Sequence, residues 1–194
     1  IDLPQEVTST ELLDVEAVPK RLCIVGAGVI GMEFASIFSS FGSEVTVVEF
    51  LRECLPALDS DIAKRLRQSI GKRGVTFYMQ SGVKEITPEH VVFERKGKTE
   101  TVEADMVLIA TGRAANTEGL CLEAAGIAYD RTGITTDEHL QTNVPGVYAI
   151  GDVNGRCMLA HAATAQGLHV VNRILGRDDS IRLDIVPSAV FTRP

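Results

Sequence analysis

The stretch "GAGVIGMEFASIFSSFGSEVTVVEF" at residues 26–50 decides the fold. Gly26, Gly28 and Gly31 read as G-x-G-x-x-G. Immediately before them "RLCIVG" is short and almost wholly apolar, as a parallel strand buried on both faces should be. From Val29 to about Phe41, the residues Ile30, Phe34, Ile37, Phe38 and Phe41 recur at spacings of three and four, which predicts a helix buried along that side. Gly42 stops it. "EVTVVE" (44–49) predicts a second strand with Glu49 at its end. Strand, helix and strand within about 30 residues make one βαβ unit.

In that setting the glycines predict a dinucleotide site. Gly26 permits a tight turn, Gly28 lets a pyrophosphate approach the backbone, and Gly31 lets the helix pack close to the strand. The free N–H groups of the first helical turn, which contains Val29 and Ile30, then face the phosphates. Glu49 is placed to accept hydrogen bonds from both adenosine ribose hydroxyls and to repel a 2′-phosphate, which favours NAD(H) over NADP(H). Glu33 is less expected. A carboxylate in the first turns gains from the helix dipole but opposes an anion nearby, so the residues alone leave it open between a dipole role and a site role.

The remainder supplies a larger α/β framework. "TSTELLD" carries a Thr/Ser cap before a short helix. A second helix is expected over Ser60–Lys72, capped by Asp59 or Ser60 and buried through Ile62, Leu66 and Ile70. "VTFYMQ" (75–80) reads as a third parallel strand. "VKEIT", "HVVFERK" and "KTETVEA" alternate apolar and polar residues between turn signals, which predicts an antiparallel meander. "DMVLIATG" (105–112) returns to the buried-strand style. A boundary is expected near residue 113. Beyond it come a loop-rich stretch with extended pieces at "GIT" and "LQT", a strand "GVYAIGD" (146–152), a helix over 159–175, and the extended tail "IVPSAVFTRP".

Composition narrows the partners. The chain is 45% hydrophobic with a formal net charge of −7, so a nucleic-acid or anionic-membrane partner is not expected. Runs such as "MVLIA" are too short to span a bilayer. No signal peptide is visible, and the opening "IDLPQEV" reads as the interior of a longer protein. Cys23, Cys54, Cys121 and Cys157 form no C-x-x-C pair, which suggests unpaired thiols in a cytoplasmic protein, with Cys23 buried and inert. No two histidines sit at metal-ligand spacing, and no metal site is expected.

Taken together, "GAGVIGMEFASIF", "VTVVE", "ATGR" followed by Asn116, "LQTNVPGVYAIGD" and "MLAHAATAQG" resemble the pyridine nucleotide-disulfide oxidoreductases over nearly the whole chain, in the right order. The resemblance implies an NAD-binding domain with its incoming linker at 1–112, the returning part of a split FAD-binding domain at 113–186, and the start of a dimerisation domain at 187–194. It implies Glu33 and Gly112 at the nicotinamide end of NAD and Val83 near the adenine. It also implies Asp152 on the FAD ribityl chain, and Met158, Leu159, Ala160, His161 and Ala162 offering backbone amides to the flavin, with no acid-base role for the His161 side chain. Electrons would pass from a lipoyl-bearing protein or small dithiol through a disulfide and FAD to NAD⁺ in a homodimeric enzyme. Other members of the scaffold (an NADH oxidase, mercuric reductase, transhydrogenase or glutathione reductase) would differ in electron partner, and a non-enzymatic NAD-binding module is the alternative outside catalysis. The family's Cys-x4-Cys and acid-base histidine have no match in these residues, so this chain alone is expected to be inactive. Where the family usually has Pro before Asn116, Ala115 stands here, which implies a softer loop.

Overall fold

The computed structural model describes residues 3–193. Its first element is a two-residue strand, β1 (Glu6–Val7), which the sequence pattern does not announce. It is followed by α1 (Ser9–Leu12), held by a capping box in which the Thr8 N–H donates to the Glu11 carboxylate at 2.8 Å. Then come β2 (Arg21–Val25), α2 (Val29–Ser40), β3 (Glu44–Glu49), α3 (Ser60–Gly71) and β4 (Thr76–Met79). The meander is β5 (Ser81–Ile86), β6 (His90–Arg95) and β7 (Lys98–Glu103), and β8 (Met106–Ile109) follows it.

The strands β1-β8-β2-β3-β4 form one parallel sheet in that order. The meander is a separate antiparallel sheet. Alternation along each strand sends side chains to opposite faces. Leu22 and Ile24 join a core with Met32, Phe34, Phe38, Val45, Val47 and Leu108. Their neighbours Cys23, Val48 and Val107 join a second core with Val91, Phe93 and Ala104 of the meander side. Both faces of β2 are therefore dry, which accounts for its almost continuous apolar run. Burial pushes the Cys23 thiol up to about 12 and, with it, leaves that sulfur protonated and unreactive at neutral pH.

Two helices are rotated from the expected setting. On α2, Ile37 and Phe41 are 40% and 64% exposed, and Met32 and Ala35 are buried instead. The close approach at Gly31 sets this rotation. The side of the helix that meets the strand runs through Gly31, Ala35 and Phe38, at helical spacing, and swings Ile37 outward. On α3 the buried side runs through Ala63 and Ile70, with Leu66 partly covered, so Ile62 is exposed. Asp59 occupies the N-cap position of α3, but its side chain makes no capping hydrogen bond.

Backbone packing divides the chain into two compact units: residues up to Gly112 together with the tail from Ala189, and Arg113–Ser188. The second unit holds a hairpin of β9 (Tyr129–Asp130) and β10 (Gly133–Ile134), a 3-10 turn at Gly151–Asn154, and α4 (Ala160–Ile174). Leu122, Ile134 and Ala149 form its small core. The strand expected at "GVYAIGD" does not extend beyond a single bridge between Gln141 and Tyr148. A buried strand needs hydrogen-bonding neighbours on its flanks. Here Val147 and Ala149 instead bond back to Thr142 and Leu140 across a local turn. Among the described residues, no helix is long and apolar enough to cross a membrane.

Candidate functional site

The turn from β2 into α2 is built by three glycines with three separate constraints. Gly26 has φ +106°, and a Cβ there would lie 2.4 Å from the Ala110 carbonyl oxygen beyond β8. Only glycine meets both demands. A Cβ at Gly31 would lie 2.0 Å from the Gly26 carbonyl oxygen, so this residue fixes how closely α2 approaches the strand. Gly28 is different. Nothing in the protein lies within 4 Å of a Cβ built on it, so packing does not require glycine there. The space in front of its backbone is open to a group from outside, which is the fit a pyrophosphate needs. Gly28 is also the N-cap of α2 and makes no side-chain cap, leaving the first-turn amides of Val29 and Ile30 without side-chain acceptors. Val29 is 44% exposed beside this opening, and Ile30 is half-buried against the first core.

Glu49 ends β3 beside that turn and is buried. Its carboxylate accepts from the Ala27 N–H at 2.5 Å and from the Leu51 N–H at 2.6 Å. The acid therefore anchors the middle of the glycine turn to the strand end, a role that the residue pattern did not foretell. Each oxygen retains a lone pair for a ligand hydroxyl. The Leu55 N–H bonds to the Ala27 carbonyl at 2.9 Å and closes the turn from the loop side.

Val83 comes to the same end of the sheet by way of Phe50. The Gln80 N–H bonds to the Leu51 carbonyl at 3.0 Å, and a Cβ on Gly82 would lie 3.6 Å from the Phe50 ring. Val83 itself is half-buried, at the start of a bulge in β5. Gly112 (φ +132°) closes the segment after β8, two residues beyond the Ala110 carbonyl that touches Gly26. Glu33 lies on α2, half-buried, where its Oε1 accepts from the Phe191 N–H at 2.8 Å. Gly26, Gly28, Gly31, Glu49, Val83 and Gly112 thus gather at the carboxyl ends of the parallel strands, where ligands bind in open α/β sheets.

The second unit carries the other residues of interest. Asp152 is exposed in the 3-10 turn and faces Arg113 at 3.5 Å, a loose pair of little energetic weight. Met158 and Leu159 lead into α4, whose N-cap Leu159 is extended and offers no side-chain acceptor. The amides of Ala160, His161 and Ala162 form its first turn. The His161 Nε2 lies 2.7 Å from the Pro187 carbonyl, which occupies that ring atom locally.

Two buried polar residues of this unit escaped the sequence reading. The Gln166 Oε1 accepts from the Gly151 N–H at 2.8 Å and from the Asn154 Nδ2 at 2.9 Å. The Asn154 Nδ2 also donates to the Ala149 carbonyl at 3.0 Å. This network fixes the turn that carries Asp152 against α4. Its one signal in the sequence is a glutamine at helical spacing between Ala162 and Val170, on the buried side of α4.

Known proteins share this fold and family. The family model described as pyridine nucleotide-disulphide oxidoreductase matches residues 1–167. A dihydrolipoyl dehydrogenase of Acholeplasma laidlawii is 47% identical over 169 residues, covering 87% of this chain and 50% of that protein. The crystal structure of LpdA from Mycobacterium tuberculosis superposes with a TM-score of 0.86 at 36% identity, covering 97% of this chain and 42% of that one. The C43S mutant of RclA from Escherichia coli, an HOCl-induced flavoprotein disulfide reductase solved as a Cu(II) complex, gives 0.85 at 33% identity, over 97% and 44%. The chain spans about half the length, or less, of the curated relatives it matches.

Proposed function

Because the chain belongs to the pyridine nucleotide-disulphide oxidoreductases, we propose that its first unit is the NAD(H) site of a flavin-dependent dithiol oxidoreductase, a dihydrolipoamide dehydrogenase. The open approach to Gly28, between two glycines that packing does constrain, carries this reading. The turn is shaped for a pyrophosphate, and Glu49 stands at its side to receive the ribose hydroxyls. Val83 borders the adenine, and Glu33 with Gly112 borders the nicotinamide.

In the second unit, Asp152 and the Met158–Ala162 segment are one wall of an FAD site. The uncapped first turn of α4 suits the edge of a ring that gains negative charge on reduction. When bound, FAD carries electrons from a dithiol and NAD⁺ takes them up as a hydride. This chain's residues hold and orient the two groups. The dithiol is a lipoyl group or a small molecule. The whole protein is a homodimer whose dimerisation domain begins at residues 187–194, and four free thiols suit a reducing cytoplasm. The likeness to a disulfide reductase from Escherichia coli supports a second reading on the same scaffold, a reductase with another electron partner.

The test is calorimetric titration of the chain with NADH, NADPH and ADP-ribose. Saturable binding of NADH and ADP-ribose, with NADPH weaker, is expected. Absence of ADP-ribose binding would remove the site. Turnover of dihydrolipoamide with NAD⁺ by the whole protein, compared with glutathione disulfide and other disulfides, separates the two readings.

A further inference from the structure

We propose that the ion pair between Glu53 and Arg67 positions the glycine turn for its ligand: it holds the loop after β3 in the shape that lets Leu55 fix the Ala27 carbonyl, and dinucleotide affinity depends on it. The inference rests on the NAD(H) reading above and extends it to two residues outside the turn itself.

Leu55 is the strained point of that loop. Its φ is +50°, in the left-handed region that a residue with a bulky side chain keeps only when its surroundings force it. Its side chain is buried in the first core, and its N–H donates to the Ala27 carbonyl at 2.9 Å. Ala27 lies between Gly26 and Gly28, and its own N–H is held by Glu49 at 2.5 Å. The middle residue of the turn is thus gripped on one side by the strand-end acid and on the other by the loop.

The loop in turn is held by α3. Arg67 donates through Nε to Glu53 Oε1 at 2.6 Å and through Nη2 to Oε2 at 2.8 Å, a two-pronged geometry that fixes orientation as well as distance. Glu53 Oε1 also accepts from the Cys54 N–H at 2.9 Å, and the Cys54 thiol donates to the Ala63 carbonyl of α3 at 3.3 Å. Ala63 and Ile70 seat α3 in the first core. A continuous chain of contacts therefore runs from that core through Arg67, Glu53 and Cys54 to the one loop residue that must stay left-handed. With the pair broken, the Cys54 amide is released, Leu55 relaxes toward an ordinary φ, and its N–H leaves the Ala27 carbonyl. The turn then keeps one hold instead of two and must be reordered when a pyrophosphate binds, which lowers affinity.

The test is calorimetry with ADP-ribose and NADH on Glu53→Ala, Arg67→Ala, the double variant and Arg67→Lys, with amide exchange at Leu55 and Ile24 as local reporters. Each alanine variant should lose about fivefold in affinity, the effect of one oriented hydrogen bond, and equally for the two ligands because both carry the pyrophosphate. The double variant should lose no more than either single one, since both remove the same interaction. Arg67→Lys keeps one charged donor and should stay within about twofold of the unmodified chain. Exchange at Leu55 should accelerate about tenfold in the alanine variants, with Ile24 unchanged. Should an alanine variant not fold, Glu53→Gln, which keeps the side chain's size and breaks the two-pronged grip, takes its place. A pair that only stabilises the fold would leave the affinity of the folded chain unchanged. That result, a loss confined to NADH, additive losses in the double variant, a lysine no better than alanine, or unaltered exchange at Leu55 would overturn the proposal while leaving the dinucleotide site standing. An unmodified chain that binds neither ligand would overturn both.

Discussion

Replacing Glu49 with alanine should destabilise the glycine turn before any ligand is considered. The carboxylate is the acceptor for two backbone amides, at 2.5 Å from Ala27 and 2.6 Å from Leu51. The Ala27 amide is enclosed, with no route to water, and losing a charged acceptor there costs about 2 kcal/mol. Leu51 is 44% exposed, so water can take over its amide and the loss is nearer ~1 kcal/mol. The sum is about 3 kcal/mol of local stability. Glu49→Gln keeps one acceptor oxygen and turns an NH₂ group toward the other amide, so about half of that should be lost. Because the chain has two compact units, a single global unfolding energy is a poor readout. Amide hydrogen exchange at Ala27 is direct. It should accelerate about a hundredfold in Glu49→Ala and about tenfold in Glu49→Gln, with core amides such as Ile24 little changed. Unchanged exchange at Ala27 in the alanine variant would refute the anchoring role. Weaker NADH binding in both variants would then have to come from the ribose contact alone.

Two further outcomes follow from packing and charge. Arg67 grips Glu53 through Nε at 2.6 Å and Nη2 at 2.8 Å, and this pair holds the Glu53 carboxyl down at about 2 from an ordinary 4.5. A depressed folded-state value gives stability that is present above pH 4.5 and lost as pH falls toward 2, so acid should remove about 2 kcal/mol across that window after allowance for partial exposure. Urea midpoints of the first unit, followed by exchange of its core amides in the unmodified chain and Glu53→Gln from pH 6 down to about 2, should converge at the acid end, and parallel curves would contradict the assignment. Gly31→Ala would put a methyl 2.0 Å from the Gly26 carbonyl, so α2 must shift. A loss of about 2 kcal/mol in the stability of the first unit, read from exchange of its core amides, together with loss of ADP-ribose binding, is expected, whereas Gly28→Ala should leave that exchange nearly unchanged and lose binding only.

Much of the first unit was legible because its signals are local. The spacing of Gly26, Gly28 and Gly31, the apolar run before them and the acid after β3 each specify a backbone event close in sequence. The rotation of α2 was missed because Ile37 and Phe41 fit a helical stripe as well as Met32 and Ala35 do. Only the contact at Gly31 selects between the two. β1 was missed for the opposite reason: two residues carry no period, and their partner lies about a hundred residues away. The bond from the Phe191 amide to Glu33 left no trace at all in composition, since any residue but proline could supply it. In the second unit "GVYAIGD" reads as a strand by residue type, but residue type does not provide neighbours, and the backbone there turns on itself. Glu33, Asp152 and the Met158–Ala162 segment were placed by resemblance, whereas Glu49 was read from its place at the end of the second strand, and only its bond to the Ala27 amide needed the structure.

The position of β8 also bears on how the chain is made. It is the last strand of the parallel sheet to emerge from a ribosome, yet it lies between β1 and β2. Until Ile109 has been synthesised, β2 offers one bare edge, and that edge belongs to the dry sequence "LCIV". Nascent chains therefore pass through an interval in which their most adhesive strand is half-paired and β1 has no partner. Parallel pairings that wait for distant residues are slow to close and prone to intermolecular capture. Slowed translation between residues 50 and 105 should lengthen that exposure, and synonymous codons in the meander, which change no residue, become a handle on soluble yield.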